Sequence, residues 1–254
     1  MIYEDLKGKR VLVTGASSGI GAAAAELFAG QGCFVGVHYN QSKAGAEQTL
    51  EKVRQTSDGM IVRADVCDAG QVRKMVEDFA DKAGGMDVLV NNAGSMIERC
   101  TFEQATAEYH DRIYVTNVRS ILLVSQAALP YLKKSSGCIV NIGSLAGHTG
   151  GGPGSGIYSA TKGAVATMTI SMAKEFAPYG IRVNNVAPGL IETAFHDKFS
   201  TPEFVASFAK RTPLGRNGTA EDVAKAIVFF SSGEAAGFIT GEYIAVNGGF
   251  YMRA

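Results

Sequence analysis

Tyr158 and Lys162 stand four residues apart in Tyr158-Ser159-Ala160-Thr161-Lys162. That spacing brings two side chains onto one face of an α-helix. A free phenol titrates at about 10, and a neighbouring ammonium favours the phenolate and lowers that value. Moving it to the neutral range takes roughly 4 kcal/mol of differential stabilisation. A phenol so adjusted is a usable general acid and base. Ser144 ends the run Asn141-Ile142-Gly143-Ser144, fourteen residues upstream of Tyr158. A hydroxyl there can hydrogen-bond a substrate oxygen beside the Tyr158 hydroxyl. A lone Tyr-x-x-x-Lys is common, so its weight comes from the motifs around it.

The first of these is Thr14-Gly15-Ala16-Ser17-Ser18-Gly19-Ile20-Gly21, followed by the small-residue segment Ala22–Phe28. Gly15 permits a sharp strand-to-helix turn and Gly19 lets the backbone approach a pyrophosphate. Gly21 lets helix and strand pack closely, with the helix N-terminus facing the anion. The spacing is G-x-x-x-G-x-G, not G-x-G-x-x-G, and a glycine triple alone is weak. Its place after a first strand supplies the weight. Ser17, Ser18 and Ile20 fall inside this cradle.

The next strand ends in His38-Tyr39-Asn40-Gln41-Ser42-Lys43. An acid there would bind the 2′-hydroxyl of NAD and repel the 2′-phosphate of NADP. None is present, and Asn40, Ser42 and Lys43 could meet a phosphate. NADP(H) is therefore favoured, with NAD(H) left open because no arginine is present. Lys43 reads equally as a solvated first-turn lysine. Asp65-Val66 and Asn91-Asn92-Ala93-Gly94 follow later strands, where an adenine and its ribose would rest. Asp65 could accept from an adenine amino group or cap the helix starting near Ala69. The paired amides suggest backbone tied down by side-chain hydrogen bonds. A bound nicotinamide would add positive charge to that of Lys162 in lowering the Tyr158 pKa.

The elements that must position these groups are legible in the chain. Short β-branched runs occur at 10–13, 34–39, 60–64, 87–90, 138–142, 182–187 and 242–246. Helical periodicity fills 19–31, 43–55, 69–83, 106–132, 158–177 and 220–232. Continuously apolar strands imply a sheet buried on both faces. Strand–helix alternation predicts an α/β fold with a doubly wound parallel sheet and helices on both sides, as one domain over residues 1–254. Ligands of such sheets bind beyond the carboxyl ends of the strands, at the topological switch point. Asn117 falls inside the long 106–132 helix, where an amide competes with the backbone. Taken alone it reads as a tolerated surface residue.

With 24 Lys+Arg against 24 Asp+Glu and no charge run, nothing here points to nucleic acid. Cys33, Cys67, Cys100 and Cys138 form no CxxC pair and have no histidine at ligand spacing, which argues against a metal site. Dispersed thiols and a charged N-terminus suit a cytoplasmic protein. The apolar stretch 121–132 is too short and interrupted to cross a bilayer.

Together these residues resemble the short-chain dehydrogenase/reductase family, from Lys9 to Gly249. Thr14–Gly21 looks like its cofactor loop and Asn91–Gly94 like its Asn-Asn-Ala-Gly turn. Asn117, Ser144, Tyr158 and Lys162 match its catalytic tetrad. Pro188-Gly189, with Ile191 and Thr193, is similar to its nicotinamide-side motif. The resemblance implies a seven-stranded three-layer Rossmann-like sheet and hydride transfer between nicotinamide and a carbonyl or secondary alcohol. It also implies a homotetramer, and for Asn117 a water-linked proton path to Lys162. A cofactor-binding sensor would have lost Tyr158 or Lys162, and both remain.

The tail from Pro213 to Gly249 is similar to 3-oxoacyl-carrier-protein reductases and to sugar or polyol dehydrogenases. Asn247 departs from a more usual Asp, a change expected to concern local packing. Substrate choice is assigned to a lid at about 190–212 and to the glycine-dense stretch 147–156, with His148 as an exposed loop residue. Phe195, Phe199, Phe204 and Phe208 suggest one amphipathic lid helix that suits an apolar or acyl substrate. Lys133, Lys134 and Lys174 are candidate entrance cations for an acyl carrier.

Overall fold

A computed structural model describes residues 2–252. The elements run β1 (Arg10–Val13), α1 (Gly19–Gly30), β2 (Phe34–Tyr39), α2 (Lys43–Val53), β3 (Gly59–Arg63), α3 (Ala69–Ala83) and β4 (Val88–Asn91). They continue α4 (Ala107–Tyr114), α5 (Ser120–Ser135), β5 (Cys138–Ile142), α6 (Ala146–Thr149), α7 (Gly156–Phe176) and β6 (Arg182–Pro188). The chain closes with α8 (Ala194–Phe199), α9 (Pro202–Arg211), α10 (Ala220–Ser231), α11 (Gly233–Ala236) and β7 (Tyr243–Val246).

The seven strands form one sheet in the order β3-β2-β1-β4-β5-β6-β7. Every pairing is parallel. The order reverses between β1 and β4, which places the switch point beside the glycine cradle. Both sheet faces are covered, as the apolar strands require. Phe28, Val53 and Ile227 pack on one face, and Phe79, Leu132 and Val165 on the other. The whole is a three-layer Rossmann-like domain.

Strand bounds differ from the sequence reading by about one residue. Asp87 precedes β4 because its carboxylate is taken by Arg10, at 2.6 Å to Nε and 3.0 Å to Nη2. Asn91 instead extends β4, in register with Asn141 of β5.

The long helix expected over 106–132 is three pieces. Between α4 and α5, residues Val115–Arg119 form a π-helical turn. Three side chains there bond back to carbonyls four residues earlier: Thr116 Oγ1 to Arg112 O (2.8 Å), Asn117 Nδ2 to Ile113 O (3.1 Å) and Ser120 Oγ to Thr116 O (2.6 Å). Polar groups inserted into the ladder widen a helix in this way. Asn117 is thereby turned inward and is fully buried, not the surface residue its position suggested.

The lid is also divided. Pro202 opens α9 and Thr201 caps it, Oγ1 accepting from Phe204 N at 3.2 Å. Thr201, before the proline, is extended at φ −81° and ψ 154°, which separates the two helices, and proline favours that conformation in its predecessor and a first-turn place for itself.

Candidate active site

The carboxyl ends of the central strands open onto a cavity of about 710 Å³. Its wall includes Gly15, Ser18, Gly19 and Ile20 from the cradle, and Ser144, Tyr158 and Lys162. Tyr158 lies in the first turn of α7 and Lys162 one turn on, both buried. The Ser144 hydroxyl lies beside the Tyr158 phenol and favours its ionised form. Ser144 Oγ also accepts from Ala146 N at 3.1 Å, which fixes its rotamer. Lys162 Nζ donates to the Ile142 carbonyl at 2.8 Å and stands 5.8 Å from the Tyr158 ring centre.

Asn117 sits behind these groups. Its Oδ1 accepts from Ser95 N (2.9 Å) and its Nδ2 donates to Ser95 O (2.8 Å). A Cβ on Gly94 would lie 2.7 Å from Asn117 Oδ1 and 3.5 Å from Lys162 Nζ. The missing side chain thus keeps Asn117 and Lys162 within reach of each other. All four tetrad positions converge on one place.

The electrostatics correct one expectation. Burial pushes the Tyr158 phenol up to about 12, opposed by the Ser144 hydroxyl. Burial also brings the Lys162 ammonium down to about 8. In the protein by itself, Lys162 does not draw the phenol toward neutrality. Its ammonium is spent on the Ile142 carbonyl, and desolvation of both groups dominates.

The cradle fits a dinucleotide. Gly15 has φ +64°, and a Cβ on Gly21 would lie 2.4 Å from Gly15 O, so neither position accepts a side chain. Asn92 Nδ2 donates to Thr14 O and Gly15 O at 2.9 and 3.0 Å, clamping the turn. The amides of Asn92 and Ala93 donate to Thr14 Oγ1 at 2.9 and 3.0 Å. Ala93 and Gly94 line the cavity, as do Pro188, Gly189, Ile191 and Thr193. Thr193 Cγ2 would stand 3.5 Å from a Cβ on Gly19, so the cradle and the Pro-Gly segment face each other.

Asn91 is placed differently. Its Nδ2 donates to Asn141 Oδ1 (2.9 Å) and Ser125 Oγ (3.1 Å) inside the core. It fastens β4 to its neighbours and leaves the cavity to Asn92, because adjacent strand residues point to opposite faces.

The adenosine-side positions lie outside the cavity wall. Ser17 and Ser42 meet across Gly45, whose Cβ would lie 2.4 Å from Ser17 O and 2.8 Å from Ser42 Oγ. Tyr39 is buried, whereas Asn40 beside it is exposed. Asp65 Oδ1 accepts from Cys67 N at 2.9 Å, and Val66 packs into the core. The cap of α3 is Asp68, accepting from Gly70 N and Gln71 N at 2.8 and 3.0 Å. Asp65 is thus not the cap. His38 was not singled out by the sequence, yet it is buried, with Nδ1 accepting from Gly15 N at 2.9 Å and Nε2 facing Ala64 O at 3.1 Å. It ties the cradle to the end of β3.

On the far side of Tyr158 the wall is aromatic. The Phe195 ring lies 6.0 Å from that of Tyr158 and 4.8 Å from that of Phe199. Phe204, Phe208 and Phe250 complete the wall, and Phe208 stacks on Phe250 at 4.1 Å. His148 is not an exposed loop residue: its ring packs edge-on against Tyr243 of β7 at 4.3 Å. None of Lys133, Lys134 and Lys174 reaches the cavity; Lys133 lies over the Tyr179 ring at 3.6 Å. The cations present there are Arg99 and Arg211, which no local motif marked. Asn247 is a packing residue, donating to Tyr251 O at 2.8 Å and accepting from Gly249 N at 2.9 Å.

Residues 15–251 match the family model described as enoyl-(acyl carrier protein) reductase. The 3-oxoacyl-(acyl-carrier-protein) reductase FabG of Vibrio cholerae is 40% identical over 98% of this chain and 99% of its own. Among solved structures, the NADH-dependent reductase A1-R′, described as responsible for alginate metabolism, aligns with TM-score 0.91 and 35% identity, covering 99% of this chain and all of its own. Its complex with NAD aligns at 0.89. A short-chain dehydrogenase from Burkholderia cenocepacia in complex with NADP also aligns at 0.89, with 33% identity over 97% of this chain and 99% of its own.

Proposed function

Because this chain belongs to the short-chain dehydrogenase/reductase family, an oxidoreductase family acting with NAD(P), we propose that Tyr158 is the proton carrier for its carbonyl/alcohol interconversion. The observation that carries this is that Ser144, Tyr158 and Lys162 meet the glycine cradle in the wall of one cavity. Ser144 orients the substrate oxygen. Tyr158 hands it a proton in reduction and takes one back in oxidation. Lys162 holds the turn through Ile142 and, with Asn117 behind it, leads protons to the phenol. The nicotinamide, when bound, supplies the hydride and, in its oxidised form, a positive charge that favours the phenolate. Ser18, Gly19 and Ile20 at the N-terminus of α1 would hold its pyrophosphate.

NADP(H) is the favoured cofactor, on the absence of an acid at Asn40 and the proximity of Ser17 to Ser42. The substrate we favour is an acyl compound such as a 3-oxoacyl thioester. The aromatic wall of Phe195, Phe204, Phe208 and Phe250 supports it. A sugar-derived carbonyl is the second reading, supported by the likeness to a reductase of alginate metabolism. We place residues 190–212 as the lid. Assembly as a homotetramer is supported by Leu122 of α5 and Ile170 of α7, apolar yet 39% and 47% exposed. Four free thiols support a cytoplasmic setting.

The test is a panel of acyl thioesters, simple ketones and sugars, with NADPH and NADH absorbance followed separately. Oxidation of NADPH by a 3-oxoacyl thioester is expected. Oxidation of neither cofactor by any carbonyl would overturn the reading.

A further inference from the structure

The charged residues on the described cavity wall are all basic: Lys162, Arg99 and Arg211 line it, with His196 beside them and no Asp or Glu. Lys162 belongs to the tetrad. The two arginines stand on the aromatic side, and among the described residues neither makes an ion pair. Two acids of the neighbouring segments are engaged elsewhere. Glu98 pairs with Arg112 at 2.7 Å, and Glu192 accepts from Asn217 at 3.2 Å.

Arg211, the last residue of α9, packs its guanidinium against Phe208 and Phe250, 5.5 and 5.4 Å from their ring centres. It makes one long hydrogen bond, from Nε to Ser207 O at 3.4 Å. Among the described residues both terminal nitrogens are left to offer. The rings fix the orientation of the fork, since a guanidinium stacks favourably on aromatic faces. Arg99 donates Nε to Phe199 O (2.7 Å) and Nη1 to Pro153 O (2.8 Å). It joins the lid to the glycine-dense stretch and, among the described residues, keeps Nη2 free.

We propose that the substrate carries an oxyanion, a carboxylate or a phosphate, at the end remote from its reacting carbonyl, and that Arg211 grips it end-on with Arg99 assisting. An oriented guanidinium with two unspent nitrogens matches such a group bidentately. The proposal rests on the reading of the cavity as a carbonyl-reducing site and specifies its substrate class.

The test uses matched pairs that differ only in charge: acetoacetate against methyl acetoacetate, and an acetoacetyl phosphopantetheine thioester against the corresponding pantetheine thioester. The holoenzyme should prefer the anionic member of at least one pair by about 10- to 100-fold in KM, the worth of one or two charge-assisted hydrogen bonds. Preference in the first pair identifies a small keto acid, and preference in the second a phosphate-bearing acyl carrier. R211A should collapse the preference and R211K should restore only part of it, because an ammonium cannot reproduce the fork. Calorimetric binding of 4-oxopentanoate against its methyl ester gives the same comparison without turnover. Equal KM values within both pairs, or a preference that survives in R211A, would overturn the proposal. Loss of all reduction with intact 4-oxopentanoate binding would instead strike at the carbonyl-reducing reading.

Discussion

Tyr158 and Lys162 share one face of α7, and burial moves them in opposite directions, the phenol up and the ammonium down. A phenol at about 12 stays protonated throughout the neutral range, so the proton donor for reduction is present there. The reverse reaction needs the phenolate, whose fraction grows tenfold per pH unit below that value. Profiles of kcat should therefore be level between about pH 6 and 7 for reduction, below the Lys162 value of about 8, and should climb with pH for alcohol oxidation. An oxidation rate that falls as pH rises would count against Tyr158 as the titrating group. The common helical face of Tyr158 and Lys162 was legible in the chain, whereas the direction of the shift was not, because it depends on burial. Arg99 and Arg211 were illegible for a related reason: each is an ordinary arginine in sequence, and only the fold brings the segment after β4 and the end of α9 to one cavity.

At the scale of elements, periodicity located most strands and helices but not the π-helical turn at Val115–Arg119. A widened turn keeps the apolar rhythm of a helix on either side. Its trace in the sequence was the cluster Thr116, Asn117 and Ser120, whose side chains compete for backbone carbonyls. Asn117 uses that turn to satisfy both the N–H and the C=O of Ser95, next to Gly94. Asn117→Ala should therefore cost roughly 1–3 kcal/mol, the penalty for leaving buried backbone groups unpaired. Urea unfolding checks this, with a loss under about 0.5 kcal/mol, the scatter of ordinary surface substitutions, as the contrary result. The break between α8 and α9, in contrast, was marked by Thr201-Pro202 and could have been read from the chain.

At the scale of the molecule, the reversal of strand order between β1 and β4 divides the labour. In the function we propose, the cradle on β1 and α1 would serve the dinucleotide, and the ends of β4 and β5, with α7, the reacting carbon and oxygen. A doubly wound parallel sheet was expected from strand–helix alternation and its seven strands from resemblance, while the strand order and the closure of the cavity by distant segments were not. Because cradle and phenol sit on different elements, removing the phenolic oxygen should leave cofactor binding intact. The most direct measurement is therefore single-turnover hydride transfer by Tyr158→Phe, with NADPH affinity read by fluorescence on the same preparation. The expected result is a rate about 10²- to 10⁴-fold below the parent at an essentially unchanged Kd. Hydride transfer at the parent rate would contradict the account.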